Sequence, residues 1–182
     1  MPVASSRANS DFARALGLMR GGDATQAILE FQVMTQSYPE LPGPFTNLGL
    51  LYRKTNQLAE SEAALQKATE RANWDAATWT EYGLTLRQAG KFAEARAAYE
   101  SALKANPSYA PAHRNLGVLL DLFLDDPLTA QTELETYKTL SGEDKPVSGW
   151  IAELRARNKV SSKPAEPAPA DAAEPAPPPQ GG

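Results

Sequence analysis

The sequence has no cysteine. That removes disulfides and thiol chemistry, and it leaves the compartment open, since neither the cytosol nor an oxidising space demands the residue. It has one histidine, His113. A serine nucleophile needs a base beside it, so such chemistry would have to be built around a single imidazole. No apolar run reaches the roughly 18 residues that mark a membrane span. Lys and Arg number 18 against 22 Asp and Glu, for a net charge of −4 and a pI near 5.1. This balance argues against nucleic acid, which requires a basic footprint. Gly21-Gly22 follows no strand pattern and precedes no Lys or Ser, so it is not a phosphate loop. Nothing in the sequence makes a positive case for an enzyme, and no cofactor or metal is expected.

What is present is a repeating pattern. In Trp79–Pro107, Trp79, Tyr82, Gly83 and Leu86 recur at three- and four-residue steps and share one helix face. Gly90 stops that helix. Phe92, Ala95, Tyr99, Ala102 and Leu103 then share a face of a second helix, which Asn106-Pro107 ends. Small residues at Gly83 and Ala95 are expected to let the two helices approach closely, with Tyr82 and Tyr99 filling the sides. A shift of 34 residues superposes this unit on its neighbours: Gly83 falls on Gly49 and Gly117, and one step further back on Ala15. Trp79 falls on Phe45 and His113, Ala95 on Ser61 and Ala27, and Tyr99 on Leu65 and Phe31. His113 therefore occupies a packing position and is read as a satisfied, partly buried side chain.

A fixed period of this length marks a helical repeat. Phe45-x-x-Leu48-Gly49-x-x-Tyr52, Trp79-x-x-Tyr82-Gly83, and Ala27-x-x-x-Phe31 followed by Pro39 together resemble the tetratricopeptide repeat family over roughly residues 8–142. The chain departs from that pattern at Asp11 and Arg14, which stand where apolar residues are expected, and at Ala130, which lies one place late. The resemblance implies an all-α fold, a right-handed superhelical solenoid of about four antiparallel helix pairs whose function is protein–protein interaction.

Along the chain, residues 1–8 are expected to be a flexible N-terminus, 9–159 the repeat array with its cap, and 160–182 a disordered Pro/Ala-rich tail. Met1–Ser6 has neither a basic start nor an apolar core, so it is not an export signal. It is either a cytosolic start or a Met standing where such a signal was removed. Tails like 160–182 accompany exported bacterial proteins, which favours the periplasm or outer membrane over the cytoplasm. A lipid anchor follows only if a removed signal carried a lipid-accepting Cys. Ser10 is the expected cap of a first helix over 11–20. Leu41–Pro44 is read as a rigid joint, with helix three beginning near Pro44 or Phe45. Trp74 is read as a packed joint residue, the alternative being an exposed contact. Asp126 before Pro127 should start the last return helix. Val147, Trp150, Ile151 and Leu154 define an amphipathic capping helix over about 145–158, with Trp150 in the core beneath it.

In such an array the first helix of each pair lines the concave face. Residues opposite its apolar stripe then point into a groove. Repeat two contributes Thr46, Asn47, Leu50, Arg53 and Lys54; repeat three Thr80, Glu81, Leu84, Arg87 and Gln88; repeat four Arg114, Asn115, Val118, Asp121 and Leu122. Repeat one adds Phe12, Leu16, Met19 and Arg20. The return helices carry many of the acids, so the groove is comparatively basic. Arg53, Lys54 and Arg87 are equally well placed to complement helix C-termini. A chaperone-binding subclass of the resembled family grips a C-terminal carboxylate with Lys and Asn. Asn47 and Asn115 match its Asn, but Leu16, Leu50, Leu84 and Val118 replace its second Asn, so that clamp is not assigned. Asp121, Asp125 and Asp126 are read as capping and solvated residues rather than a cation site. The expected function is a non-catalytic adaptor holding a peptide or protein segment in the groove. The alternative is a structural part of a bacterial envelope or secretion complex, docking through its outer surface as a pilotin-like lipoprotein would.

Overall fold

The computed structural model describes residues 5–161. Among the described residues it contains nine α-helices and no strand: α1 (Ser6–Arg20), α2 (Ala24–Ser37), α3 (Pro42–Lys54), α4 (Leu58–Arg71), α5 (Ala76–Gln88), α6 (Phe92–Ala105), α7 (Ala110–Phe123), α8 (Pro127–Ser141) and α9 (Val147–Ser161). None is long and apolar enough to cross a membrane. The first eight form antiparallel pairs, and α9 packs on α8. The expectation for 160–182 falls, beyond Ser161, outside the described residues.

One residue in the left-handed region makes the turn inside each pair: Gly22 (φ 85°), Asn56 (60°), Gly90 (77°) and Asp125 (48°). Gly takes this region freely, and Asn and Asp tolerate it better than other side chains. The spacings are 34, 34 and 35 residues, which locates the extra residue of repeat four. Gly49 to Asn56 and Gly83 to Gly90 are both seven steps, whereas Gly117 to Asp125 is eight, so the insertion lies at the end of α7. Asp126 then caps α8, its carboxylate accepting from the Thr129 N–H at 3.1 Å. The return helices close alike: the N–H groups of Tyr38, Ala72 and Asn106 donate to the carbonyls of Met34, Ala68 and Ala102.

The second, third and fourth pairs are each locked by a missing side chain, and the first has Ala15 at the same place. A Cβ added to Gly49 would lie 2.3 Å from Leu65 Cγ, one on Gly83 2.5 Å from Tyr99 Cε1, and one on Gly117 2.8 Å from Leu134 Cγ. The space beside Gly83 is therefore taken by the Tyr99 ring itself, which is fully buried. Small residues at Ala27, Ala95 and Ala130 are buried too. Burial pushes the Tyr99 phenol up to about 12, and its hydroxyl has no hydrogen-bond partner among the described residues.

Successive pairs stack with their first helices inward. α3 packs on α5 and α5 on α7, while no comparable contact joins α4 to α6 or α6 to α8. The first helices therefore lie on the short, concave side of the curve. The apolar core is in two main parts, one within α1–α4 and the other within α5–α9. Between them runs a polar seam of Ser61, Thr69, Thr78, Thr80 and Thr85, all buried. Every hydroxyl there is satisfied, as buried polar groups must be: Ser61 donates to the Gly49 carbonyl at 2.7 Å and lies 3.0 Å from Thr85 Oγ1.

Several sequence expectations are corrected. Ser5, not Ser10, caps α1, its hydroxyl accepting from the Ala8 N–H at 3.1 Å. Helix thus begins at Ser6, and Ala8, inside the stretch expected to be flexible, is buried under the first repeat. Residues 42–44 are not a joint but the first turn of α3, where a proline loses nothing because its N–H would be unpaired. Trp74 is 46% exposed rather than packed. On α9 the buried stripe is Val147, Ile151 and Leu154, while Trp150 is only partly covered. Polar ties bind α9 to α8: Arg155 pairs with Glu135 at 2.8 Å, and Asn158 Nδ2 donates to Gln131 Oε1 at 2.9 Å.

Two outcomes follow for stability. Gly83→Ala should cost about 1–3 kcal/mol because the Tyr99 ring must move. Gly17→Ala, in a helix where an added Cβ meets nothing within 4 Å, should instead raise stability by about 0.5–1 kcal/mol. Chemical denaturation of the two variants checks this, and equal effects would contradict the interlock. The Tyr99 phenol is raised in the fold, so the unfolded chain loses its proton first as pH climbs. Folding stability should then fall between the unfolded value near 10 and the folded value of about 12. Tyr99→Phe should reduce that alkaline fall and, because it removes a buried hydroxyl without a partner among the described residues, should not lower stability at neutral pH, as followed by denaturation at each pH.

Candidate binding groove

The groove expected from the sequence divides into residues that the fold consumes and residues that it presents. Thr80 is buried and donates to the Ala76 carbonyl at 2.8 Å, so it does not face the groove. Phe12 packs edge-on against Phe31, with ring centroids 5.8 Å apart, and belongs to the core. Thr46 donates to the Pro42 carbonyl and meets Thr78 across the repeat boundary. Asn47 and Asn115 turn their amides back on the Gly43 and Pro111 carbonyls at 2.9 and 2.8 Å. Leu16 and Leu50 are half-buried toward the N-terminal end of the array, and Lys54 is exposed at the end of α3. Arg53 is not a free cation: it donates to the Glu81 carbonyl at 2.9 Å and pairs with the Glu81 carboxylate. The two residues bridge α3 to α5 across the polar seam, and Lys91 with Glu62 bridges it on the other side at 2.7 Å.

The remaining residues converge in the C-terminal half. α7 and α9 form the walls of a cleft of about 490 Å³ whose lining includes Arg87, Arg114, Val118, Leu122, Trp150 and Arg157. It adjoins a shallower depression bounded by Leu84, Gln88 and Phe123, with Arg87, Val118 and Leu122 common to both. The apolar floor is open to solvent: Leu122 is 66% and Phe123 45% exposed. Phe123 stacks on Phe92 with ring centroids 4.5 Å apart.

The charges are arranged unequally around this floor. Asp121 is occupied by Arg157 of α9. The Arg114 guanidinium lies over the rings of Trp150 and Tyr137, 5.8 and 6.0 Å from their centroids, which holds it without a carboxylate. Neither Arg87 nor Arg114 forms an ion pair among the described residues, whereas Arg53 and Arg157 do. The site thus offers two uncommitted guanidinium groups beside exposed Leu, Val and aromatic surface. That combination suits recognition of a carboxylate-bearing segment with apolar side chains.

His113 is engaged elsewhere. Its Nε2 lies 2.9 Å from the Pro107 carbonyl and its Nδ1 2.6 Å from Glu133. Trp79, 34 residues earlier, donates its indole N–H to the Asn73 carbonyl, also six residues upstream, at 3.0 Å. The histidine therefore repeats a structural bond of the unit. No group of three or more potential metal-ligating side chains occurs among the described residues. Sequence reasoning missed Trp150, Glu153 and Arg157 as groove residues. The signal was present in their spacing of three and four, a second stripe on α9 beside the buried one.

Comparison with known proteins agrees with this architecture. Residues 83–120 match a TPR repeat family and residues 44–73 a tetratricopeptide repeat family. No curated protein matches the chain. Among solved structures, MamA from Desulfovibrio magneticus RS-1 is similar at 14% identity, covering 86% of this chain and 88% of that one, with a TM-score of 0.74. Pseudomonas aeruginosa pilF is similar at 18% identity, covering 84% and 69%, with a TM-score of 0.73. The first TPR of Spaghetti (RPAP3), bound to the HSP90 peptide SRMEEVD, is similar at 17% identity, covering 63% and 90%, with a TM-score of 0.59. At these identities the likeness shows the fold.

The Arg53–Glu81 bridge generates a testable outcome. Arg53→Glu should place like charges together at a half-buried contact and destabilise the array by on the order of 1 kcal/mol or more. Glu81→Arg in the same chain should restore most of the loss. Arg87→Glu, which breaks no pair, should change the melting temperature little. Thermal melts of the three variants decide the point, and an equal loss from Arg87→Glu would refute the division of roles.

Proposed function

The chain is a tetratricopeptide-repeat protein, and we propose that it serves as a non-catalytic adaptor that holds a segment of a partner protein in the C-terminal half of its concave groove. The observation that carries this reading is the pairing of exposed apolar floor, Leu122 and Phe123, with the uncommitted Arg87 and Arg114. The fold itself implies a scaffold for protein–protein interaction. A structurally similar repeat protein is bound to SRMEEVD, a peptide with three acids in its last four residues, and the cations here would favour a segment of the same general charge. A short segment in this cleft buries less than the roughly 800 Å² per side of a standard interface, so moderate affinity is expected.

A second reading keeps the alternative of a structural part of an envelope or secretion assembly. It is favoured by apolar side chains exposed on return helices, Leu29 and Val33 on α2 and Leu128 on α8. In that case the outer surface, not the groove, would be the docking face.

Paired charge reversals separate the two. Arg87→Glu with Arg114→Glu should weaken capture of the native partner at least about tenfold, since an interface arginine can contribute a few kcal/mol, while leaving the fold intact. Lys67→Glu with Lys104→Glu makes the same charge change on the exposed faces of α4 and α6 and should leave capture nearly unchanged. Partners retained from a lysate of the source organism, quantified by mass spectrometry for both variants, give the answer. Loss confined to the Lys67/Lys104 variant would replace the groove reading with the outer-surface one.

A further inference from the structure

Three boundaries join the four helix pairs, and the 34-residue period lets them be compared residue by residue. At the first, Ala27 of α2 and Leu51 of α3 lie in one apolar cluster; at the third, Ala95 of α6 and Leu119 of α7 lie in another. At the second, the same two places hold Ser61 and Thr85, both buried, with their hydroxyl oxygens 3.0 Å apart. Thr46 and Thr78 also meet across it, at 3.4 Å. Charges flank this boundary: Arg53 pairs with Glu81 on one side and Lys91 with Glu62 on the other. Among the described residues no ion pair crosses the first or the third boundary. Leu65, Ala68 and Ala72 of α4 are buried, but they join neither of the two main clusters.

We infer that the second boundary is a hinge: it opens while both sides stay folded, and it divides the array into α1–α4 and α5–α9. In a repeat array each pair leans on its neighbours, so the array parts where one interface is weakest. Opening an outer boundary would return buried leucine to water, which offers apolar surface no compensation. A pair of hydroxyls exchanges its bond for bonds to water and loses little. The two flanking ion pairs keep part of their surface in solvent, where such pairs are weak and screened by salt. Tyr99 adds a push toward opening. The charges that act on its phenol are Arg87, Arg53 and Glu81, which places its unpartnered hydroxyl beside the Arg53–Glu81 bridge. A buried hydroxyl without a partner is a cost, and water relieves it when the boundary parts. The consequence is a groove of adjustable reach. The cleft between α7 and α9 lies within one unit and keeps its shape, while Leu50 and Lys54 of α3 move relative to it. The hinge itself holds whether or not that cleft is the binding surface.

Leu29, Ala63, Ala97 and Thr132 are exposed and occupy equivalent places on α2, α4, α6 and α8. The chain has no cysteine. Leu29→Cys with Ala63→Cys, Ala63→Cys with Ala97→Cys, and Ala97→Cys with Thr132→Cys therefore each set one pair of nitroxides across one boundary of the full-length chain. Pulsed electron spin resonance then gives three distance distributions. The middle pair should show a second, longer population that the outer two lack, and raising the salt should enlarge it. Ser61→Ala with Thr85→Leu, which writes the residues of the outer boundaries into the middle one, should remove it. Tyr99→Phe, which takes away only the hydroxyl, should reduce it, and it decides the matter where the double variant fails to fold. Three distributions of equal width, or a longer population that neither change reduces, would overturn the hinge. Partner capture by the Arg87/Arg114 variant is untouched by that result and judges the groove reading separately.

Discussion

The array depends on a vacancy one carbon atom wide. At Gly49, Gly83 and Gly117 the first helices of the second, third and fourth pairs lack a Cβ, and the side chain of Leu65, Tyr99 or Leu134 on the return helix fills the space. This brings the two helices close enough for the pair to bury a common core. The pair then offers a ridged face to its neighbour, and the first helices meet side by side while the return helices splay. Curvature, and with it the groove, follows from that inequality of spacing. The interlock thus links one small residue in each repeat to the shape of the binding surface.

The repeat, its phase and its interlocking positions were legible in the sequence because the period of 34 aligns glycine with glycine and small residue with small residue. The extra residue of repeat four was visible as a late Ala130, although only Asp125 in the left-handed region places it at the end of α7. Boundaries were less legible. Two candidate caps, Ser5 and Ser10, precede the apolar stripe of α1, and Ala8 decides between them only through its burial in three dimensions. Prolines at 42 and 44 read equally as a joint or as a first helical turn.

The groove was half legible, for a physical reason. A helical wheel assigns a face but not a partner. Arg53 and Arg87 occupy equivalent positions one period apart, yet Glu81 stands within reach of Arg53 and takes its charge out of the site, while Arg87 remains uncommitted. Thr80 lies on the nominal groove side but is covered by the stacking of neighbouring first helices. Trp150 was assigned wholly to the core because it flanks the stripe of Val147, Ile151 and Leu154. Its ring instead does two things at once, covering part of the core and supporting Arg114 at the wall of the cleft. The cap is therefore both an end to the solenoid and half of its candidate site.

The account stands on the claim that partners engage the concave floor rather than the outer surface. Two leucines of nearly equal exposure lie on the two sides: Leu122 at 66% on α7 and Leu128 at 69% on α8. A photo-crosslinking amino acid placed at each position in turn, in the source cell, reports directly which side is occupied. The account predicts a discrete partner adduct from position 122 and none from position 128. An adduct from 128 with none from 122 would contradict it.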